Sequence, residues 1–96
     1  AHALTLGIVR PRTLSGSYLW RSLLDAGVVV TNGTDVPVED IDPIASFHAS
    51  VTRATRDGSR FLPEQRMTRD EALRSYTLAN AYASFEEGVK GSITPG

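Results

Sequence analysis

The sequence contains no cysteine, so neither a disulfide framework nor a thiolate metal site is available, and a small secreted fold stapled by bridges is excluded. The same absence leaves the redox compartment open, with a lean to the cytoplasm. Strong charge of either sign is also missing: 10 Lys and Arg against 11 Asp and Glu leave a net charge of −1. That is too neutral for a surface that tracks phosphates, and no nucleic-acid partner is expected. Long hydrophobic runs are absent too. The longest, Gly27 to Val30 with its neighbours, falls far short of the roughly 20 apolar residues that cross a bilayer. The N-terminus shows no basic region leading into an apolar core and a small-residue cleavage site, so neither a membrane span nor a secretory leader is expected. There is no Met at position 1, and the chain ends on Thr94-Pro95-Gly96, a turn sequence that suggests a piece of a longer polypeptide.

What is present is an ordinary soluble composition, 41% apolar and 22% charged over 96 residues, enough for one domain at most. Residues 1 to 16 are broken by Pro11 and Gly16, with a short extended piece at Leu4 to Val9. Ser17 can cap a helix whose apolar face is Leu19, Trp20, Leu23 and Leu24, and Gly27 stands where a left-handed closing residue is wanted. The β-branched run Val28-Val29-Val30 follows, bounded by Gly27 and by Asn32-Gly33. It has the length and composition of a strand at about 28 to 32, buried on both faces.

From Gly33 to Pro43 the chain is an acidic, punctuated loop that ends in a helix start, Asp42 as cap and Pro43 as first helical residue. Ile44, Phe47, His48 and Val51 then fall at i, i+3, i+4 and i+7 and predict one apolar helical face, with the helix fading before Gly58. Thr68 and Glu71 stand in capping-box spacing. The stripe Ala72, Leu73, Tyr76, Asn80 and Ala83 continues from them to about Ser84, and Gly88 and Gly91 break any further regularity. The fold class expected from these elements is α/β, mostly helical with about three helices and the one short strand. A two-sided apolar strand needs neighbours and helices on both faces, which is a second hint of a missing remainder.

The residue most readily assigned to chemistry is Asp35. The run Val28 to Val38 sets its carboxylate just past the end of the expected strand, where ligands and catalytic groups of α/β folds collect. A short, rigidly based acid there can ligate a divalent metal and can take a proton from a water that the metal has acidified. The bland alternative is a turn or cap residue in a glycine-containing turn before Pro37. Glu39, Asp40 and Asp42 do not make a calcium loop, since the Asp-x-Asp-x-Asp-Gly pattern with a terminal Glu is missing. His48 is expected to pack on the apolar side of its helix, and His2 to lie free near the terminus. Trp20 and Phe47 are expected in the core, and Arg53 on the last carbonyls of its helix. No Ser-His-Asp set or phosphate loop is found.

Two ordered blocks carry a resemblance. LLDAGVVVTNGTDVPVEDIDPIASFHASVTR (Leu23 to Arg53) and LPEQRMTRDEALRSYTLANAYASFEEGVKGSITPG (Leu62 to Gly96) resemble the closing portion of YtcJ-like amidohydrolases, the family 3 type of the amidohydrolase superfamily. The resemblance runs from about Tyr18 to Gly96. It implies a metal-centred (β/α)8 barrel, of which residues 1–96 are a single C-terminal fragment: the last strand and the helices after it. The block Gly33-Thr34-Asp35-Val36-Pro37-Val38 matches the family's Gly-Ser-Asp-x-Pro-Val, so the metal-associated catalytic acid is carried to Asp35, with Thr34 a mild departure from Ser. The family's His-x-His pair, its bridging Lys or acid and its two later metal-binding His residues have no counterpart among the residues present.

The resemblance therefore implies part of a hydrolase of amide-type C–N bonds. A divalent metal, zinc first among candidates, is expected in the complete barrel and none in this fragment alone, which is expected to be inactive. The implied parent is cytoplasmic and takes a small-molecule amide. The alternative is a non-catalytic helical scaffold or oligomerising module, whose exposed apolar surface is expected to self-associate.

Overall fold

A computed structural model of the chain describes residues 15–95. The expected extended piece at Leu4 to Val9, Pro11 and His2 lie outside them. Four α-helices are found among the described residues: α1, Trp20–Asp25; α2, Pro43–Thr52; α3, Arg69–Tyr76; and α4, Leu78–Ala83. A short 3-10 turn, Pro63–Gln65, precedes α3. Packing contacts join α2 to α3, α3 to α4, and α1 to the 3-10 turn.

The helix boundaries with local signals form as the sequence requires. The Asp42 carboxylate accepts from the backbone N–H of Ile44 (3.0 Å) and of Ala45 (2.9 Å), with Pro43 next in line, so two orphan donors of the first turn are satisfied. At α3 the full reciprocal capping box is present. Thr68 Oγ1 accepts from Glu71 N–H at 3.2 Å, and the Glu71 carboxylate accepts from Thr68 N–H at 2.7 Å. Gly27 closes α1 at φ +81°. The residue before α1 is Leu19, which makes no side-chain cap, so Ser17 does not fill the expected role.

The expected strand is a correction. Residues 28–31 run without regular secondary structure, Val28 and Val29 are 46% and 50% exposed, and pairing among the described residues is confined to an isolated antiparallel bridge between Ala54 and Arg60. The described structure is therefore helical rather than α/β. The valines have the propensity for a strand, but a strand exists only when a neighbour takes up its N–H and C=O groups. No described segment does so here.

Two further expectations fail for packing reasons. The inward face of α2 is Ser46 and Ser50, with Phe47 and Val51 half-buried, whereas Ile44 and His48 are exposed. The serines turn inward to hydrogen-bond, Ser46 Oγ with Tyr76 Oη and Ser50 Oγ with Asn32 Nδ2, and His48 is left outside. The third expected helix is two helices, because at Thr77 the backbone leaves helical space (φ −125°, ψ −89°). Close packing accompanies the break: a Cβ on Gly91 (φ +93°) would lie 2.9 Å from Ala81 Cβ, 3.1 Å from Leu78 Cα and 3.2 Å from the Thr77 carbonyl oxygen. Only glycine fits where the C-terminal segment crosses α4.

Among the described residues the buried apolar side chains are Met67, Ala72 and Ala81, and Ser50, Arg53 and Ser75 are buried polar ones. Polar ties therefore carry much of the arrangement, and one of them is readable by pH. Arg21 of α1 grips the Glu71 carboxylate with its two terminal guanidinium nitrogens, Nη1 at 2.9 Å, and Nη2 also donates to the Arg66 carbonyl at 3.2 Å. The Arg21 guanidinium, helped by the Thr68 N–H, lowers the Glu71 carboxyl from 4.5 to about 2. A carboxylate with a depressed folded-state pKa contributes stability that is complete above its unfolded value and is lost as pH falls. The window here runs from about 4.5 down to about 2. Glu71→Gln is expected to lower the denaturation midpoint clearly at pH 7 and much less at pH 3. An equal gap at both pH values would show that the ion pair does not carry this stability.

Candidate functional site

Asp35 lies in the segment between α1 and α2. Its backbone is left-handed, φ +59°, a conformation that Asp and Asn tolerate better than other side chains because a short polar group can settle against the local backbone. Its carbonyl accepts from Val38 N–H at 2.8 Å and from Glu39 N–H at 3.2 Å, so the turn after it is tied down, and the Val36-Pro37 peptide is cis. The side chain is exposed. A strained, tethered backbone that presents a solvent-accessible carboxylate is the kind of local feature from which a functional role can be inferred.

The upstream side of the loop is held by a network centred on Asn32. Its N–H donates to the Ser75 carbonyl at 3.0 Å, and its own carbonyl accepts from Asn80 Nδ2 at 3.0 Å. The side-chain amide donates to Ser50 Oγ at 3.0 Å, and its oxygen accepts from Gly33 N–H at 3.0 Å. Each polar group of Asn32, main chain and side chain, thus has a partner. Gly33 is held in turn: its carbonyl accepts from Ser46 Oγ at 3.5 Å, and that hydroxyl also bonds Tyr76 Oη. Helices α2, α3 and α4 therefore converge on the two residues that precede Thr34-Asp35.

The neighbouring acids resolve to structure. Asp40 pairs with Arg56 at 3.0 Å on the surface, Asp42 is the α2 cap, and Glu39 is exposed. Among the described residues no three His, Cys, Asp or Glu side chains come together to hold a metal ion, so this segment can offer a metal the Asp35 carboxylate but not a complete site. His48 is exposed on α2. An open cleft of about 510 Å³ is lined by Tyr76, Asn80, Ser84, Lys90 and Ser92 among others, and Asp35 does not line it.

Arg53 departs from the expected helix-carbonyl role. It ends α2 at φ +60° and is 5% exposed. Its guanidinium lies 4.4 Å from the Trp20 ring centroid and 5.4 Å from that of Phe61, while Nε donates to the Phe61 carbonyl at 2.9 Å. Trp20 thus serves as a stacking wall for Arg53. Burial lowers the Arg53 pKa, opposed in part by Glu64. The residues that sequence reasoning missed are Asn32, Ser46, Ser50 and Tyr76. Asn80 was visible only as a polar residue out of place on an otherwise apolar helical stripe, which is the signal that could have singled it out.

Comparison with known proteins gives a consistent set of relatives. The pattern of the amidohydrolase family matches residues 2–96. The chain is similar to an N-substituted formamide deformylase of Arthrobacter pascens, 41% identical over 76 residues, which is 79% of this chain and 14% of that protein. It is similar to Protein LONG AFTER FAR-RED 3 of Arabidopsis thaliana, 34% identical over 86 residues, 88% of this chain and 15% of that protein. The YtcJ protein of Bacillus subtilis (strain 168) is 25% identical over 83 residues, 83% of this chain and 16% of its own length. No solved structure matches. The chain thus spans between 14% and 16% of the length of these relatives.

Proposed function

This chain belongs to the amidohydrolase family, and on that premise we propose that it is the closing segment of a hydrolase of amide-type C–N bonds, in which Asp35 is the acid that moves the proton. The observation that carries the reading is Asp35 itself: an exposed carboxylate on a left-handed, hydrogen-bonded turn inside the block that resembles the family's acid motif. The similarity to an N-substituted formamide deformylase supports N-substituted formamides as the first substrate class. The reaction adds water across the C–N bond, so that R–NH–CHO and water give formate and R–NH3⁺. As water attacks the carbonyl carbon it loses a proton. Asp35 takes that proton on a carboxylate oxygen and delivers it to the nitrogen as the C–N bond breaks.

A divalent metal, zinc by preference for such sites, belongs to this proposal as the group that acidifies water when bound. The described residues do not fit a complete site, because Asp35 is alone, so no step is routed through the ion here. Its remaining ligands are proposed to lie in the larger protein of which residues 1–96 form a C-terminal part. Among the described residues no helix is long and apolar enough to cross a membrane, and a cytoplasmic location is part of the same proposal.

A second reading, a non-catalytic helical module that self-associates, is favoured by one observation: Val28, Val29, Val38, Ile41 and Ile44 are all exposed. The deciding experiment is an assay of the larger protein that carries this segment, zinc-supplemented and of verified intact mass, on a panel of N-substituted formamides with free amine and formate both quantified. Equimolar amine and formate support the hydrolase. A folded, metal-loaded protein that turns over neither formamides nor other simple amides supports the module instead.

A further inference from the structure

We infer that Asn80 is a positioning residue for Asp35, acting through the backbone of Asn32. The inference rests on the assignment of Asp35 proposed above and adds to it a residue 45 positions downstream, on α4. Asn80 Nδ2 donates to the Asn32 carbonyl at 3.0 Å and to the Tyr76 carbonyl at 3.2 Å, and an amide NH2 has one proton for each. The second bond ties the side chain of α4 back to the last residue of α3 across the break at Thr77, and the first carries the rigidity of that pair across to the loop.

Among the described residues the loop is held by hydrogen bonds from the helices. Val28 N–H donates to the Leu23 carbonyl at 3.0 Å at the end of α1, residues 29–31 carry no regular secondary structure, and Asn32 then ties the segment to α2, α3 and α4. Gly33, next in line, has no side chain to hold it. From Asn32 to Asp35 there are three backbone steps, so a rotation at Asn32 is passed on as a displacement of the Asp35 carboxylate. A reacting group misplaced by about 1 Å can lose about a hundredfold in rate. Asn80, Ser75 and Ser50 each engage a different group of Asn32, but only Asn80 reaches its carbonyl with a side chain, so only Asn80 can be removed there without altering the loop's own sequence.

The test uses the protein carrying this segment, with two readouts. Hydrogen exchange over residues 31–38 is compared between wild type and Asn80→Ala, with Asn80→Leu as a second variant that keeps bulk and removes both donors. Faster exchange over 31–38, with α2 unchanged, is expected, since loss of the tie opens the loop locally. Unchanged exchange there would overturn the clamp whatever the activity. The second readout is a double-mutant cycle on the best N-substituted formamide. Asn80→Ala is expected to lower kcat about ten- to a hundredfold with KM little changed, and to have no further effect in the Asp35→Asn background. A loss of equal size in both backgrounds would mean that Asn80 is merely structural and would overturn the positioning role. If Asp35→Asn alone leaves kcat unchanged, or no substrate is turned over, it is the assignment of Asp35 that fails, and hydrogen exchange still decides the clamp.

Discussion

Asp35→Asn is expected to fold normally and to lose between about a hundredfold and ten-thousandfold in kcat, the range that a positioned acid or base contributes to a proton-transfer step. Folding is preserved because the carboxylate is exposed and because Asn accepts the left-handed φ of +59° as readily as Asp. The turn beyond it is made by the backbone carbonyl of residue 35, which the substitution leaves in place. What is lost is the ability to take up a proton and pass it to the departing nitrogen, since an amide does neither at neutral pH. Asp35→Glu restores the acid on a stem one methylene longer and should recover only part of the rate, because the backbone that aims the group is fixed. The measurement is kcat and KM on an N-substituted formamide beside circular dichroism and a thermal midpoint for each variant. A kcat for Asp35→Asn within twofold of wild type would leave Asp35 as a turn residue and nothing more.

Arg53→Ala is expected to destabilise the protein by about 2–4 kcal/mol, by the sum of several losses around one buried side chain. The guanidinium is stacked against Trp20 and Phe61, contacts that weigh more when desolvated. Its Nε donor satisfies the Phe61 carbonyl, which would be left unpaired. The backbone of residue 53 pairs with Phe61 N–H at 2.9 Å beside the Ala54–Arg60 bridge, so loosening the side chain also loosens the link from α2 to the segment that leads into α3. Against these losses stands a gain. Arg53 Nη2 is buried with no hydrogen-bond partner, and removing it relieves a desolvated donor.

Two further variants separate these effects. Arg53→Lys keeps the charge but loses the planar stack and the Nε donor, so it should cost nearly as much as Ala. Arg53→Met fills the space between the two rings with an apolar stem and removes the unpaired donor, so it should cost least. Chemical denaturation of the three variants checks the order. A midpoint for Arg53→Ala equal to that of wild type would mean that the stack contributes nothing net.

Part of this molecule is legible from short windows of sequence. Asp42-Pro43 and Thr68-x-x-Glu71 start their helices as expected because cap and capped group lie within three residues of each other. Gly27 closes α1 for an equally local reason, since only the backbone at that position must turn left-handed. The family is legible too, in two ordered blocks whose spacing no single motif could mimic, and it matches residues 2–96. Asp35 could be singled out on that resemblance, whereas its tethered, left-handed backbone could not.

The rest depends on partners that no short window contains. Val28-Val29-Val30 has the composition of a buried strand, yet whether it pairs is decided by another segment, and none of the described ones supplies it. The periodic stripe of α2 predicts an apolar face through Ile44 and His48, but the side turned inward carries Ser46, which bonds Tyr76 of α3, and Ser50, which bonds Asn32. Asn32 looks like a turn residue before Gly33, while its carbonyl partner is Asn80, 48 positions away. The sequence by itself determined where α2 and α3 begin, which family the chain joins and which acid to suspect. Only the tertiary structure decided which faces are buried, that the valine run is unpaired, and that α2, α3 and α4 converge behind Asp35. Caps and turns are settled within a few residues, whereas pairing and burial are settled by contacts between segments far apart in the chain.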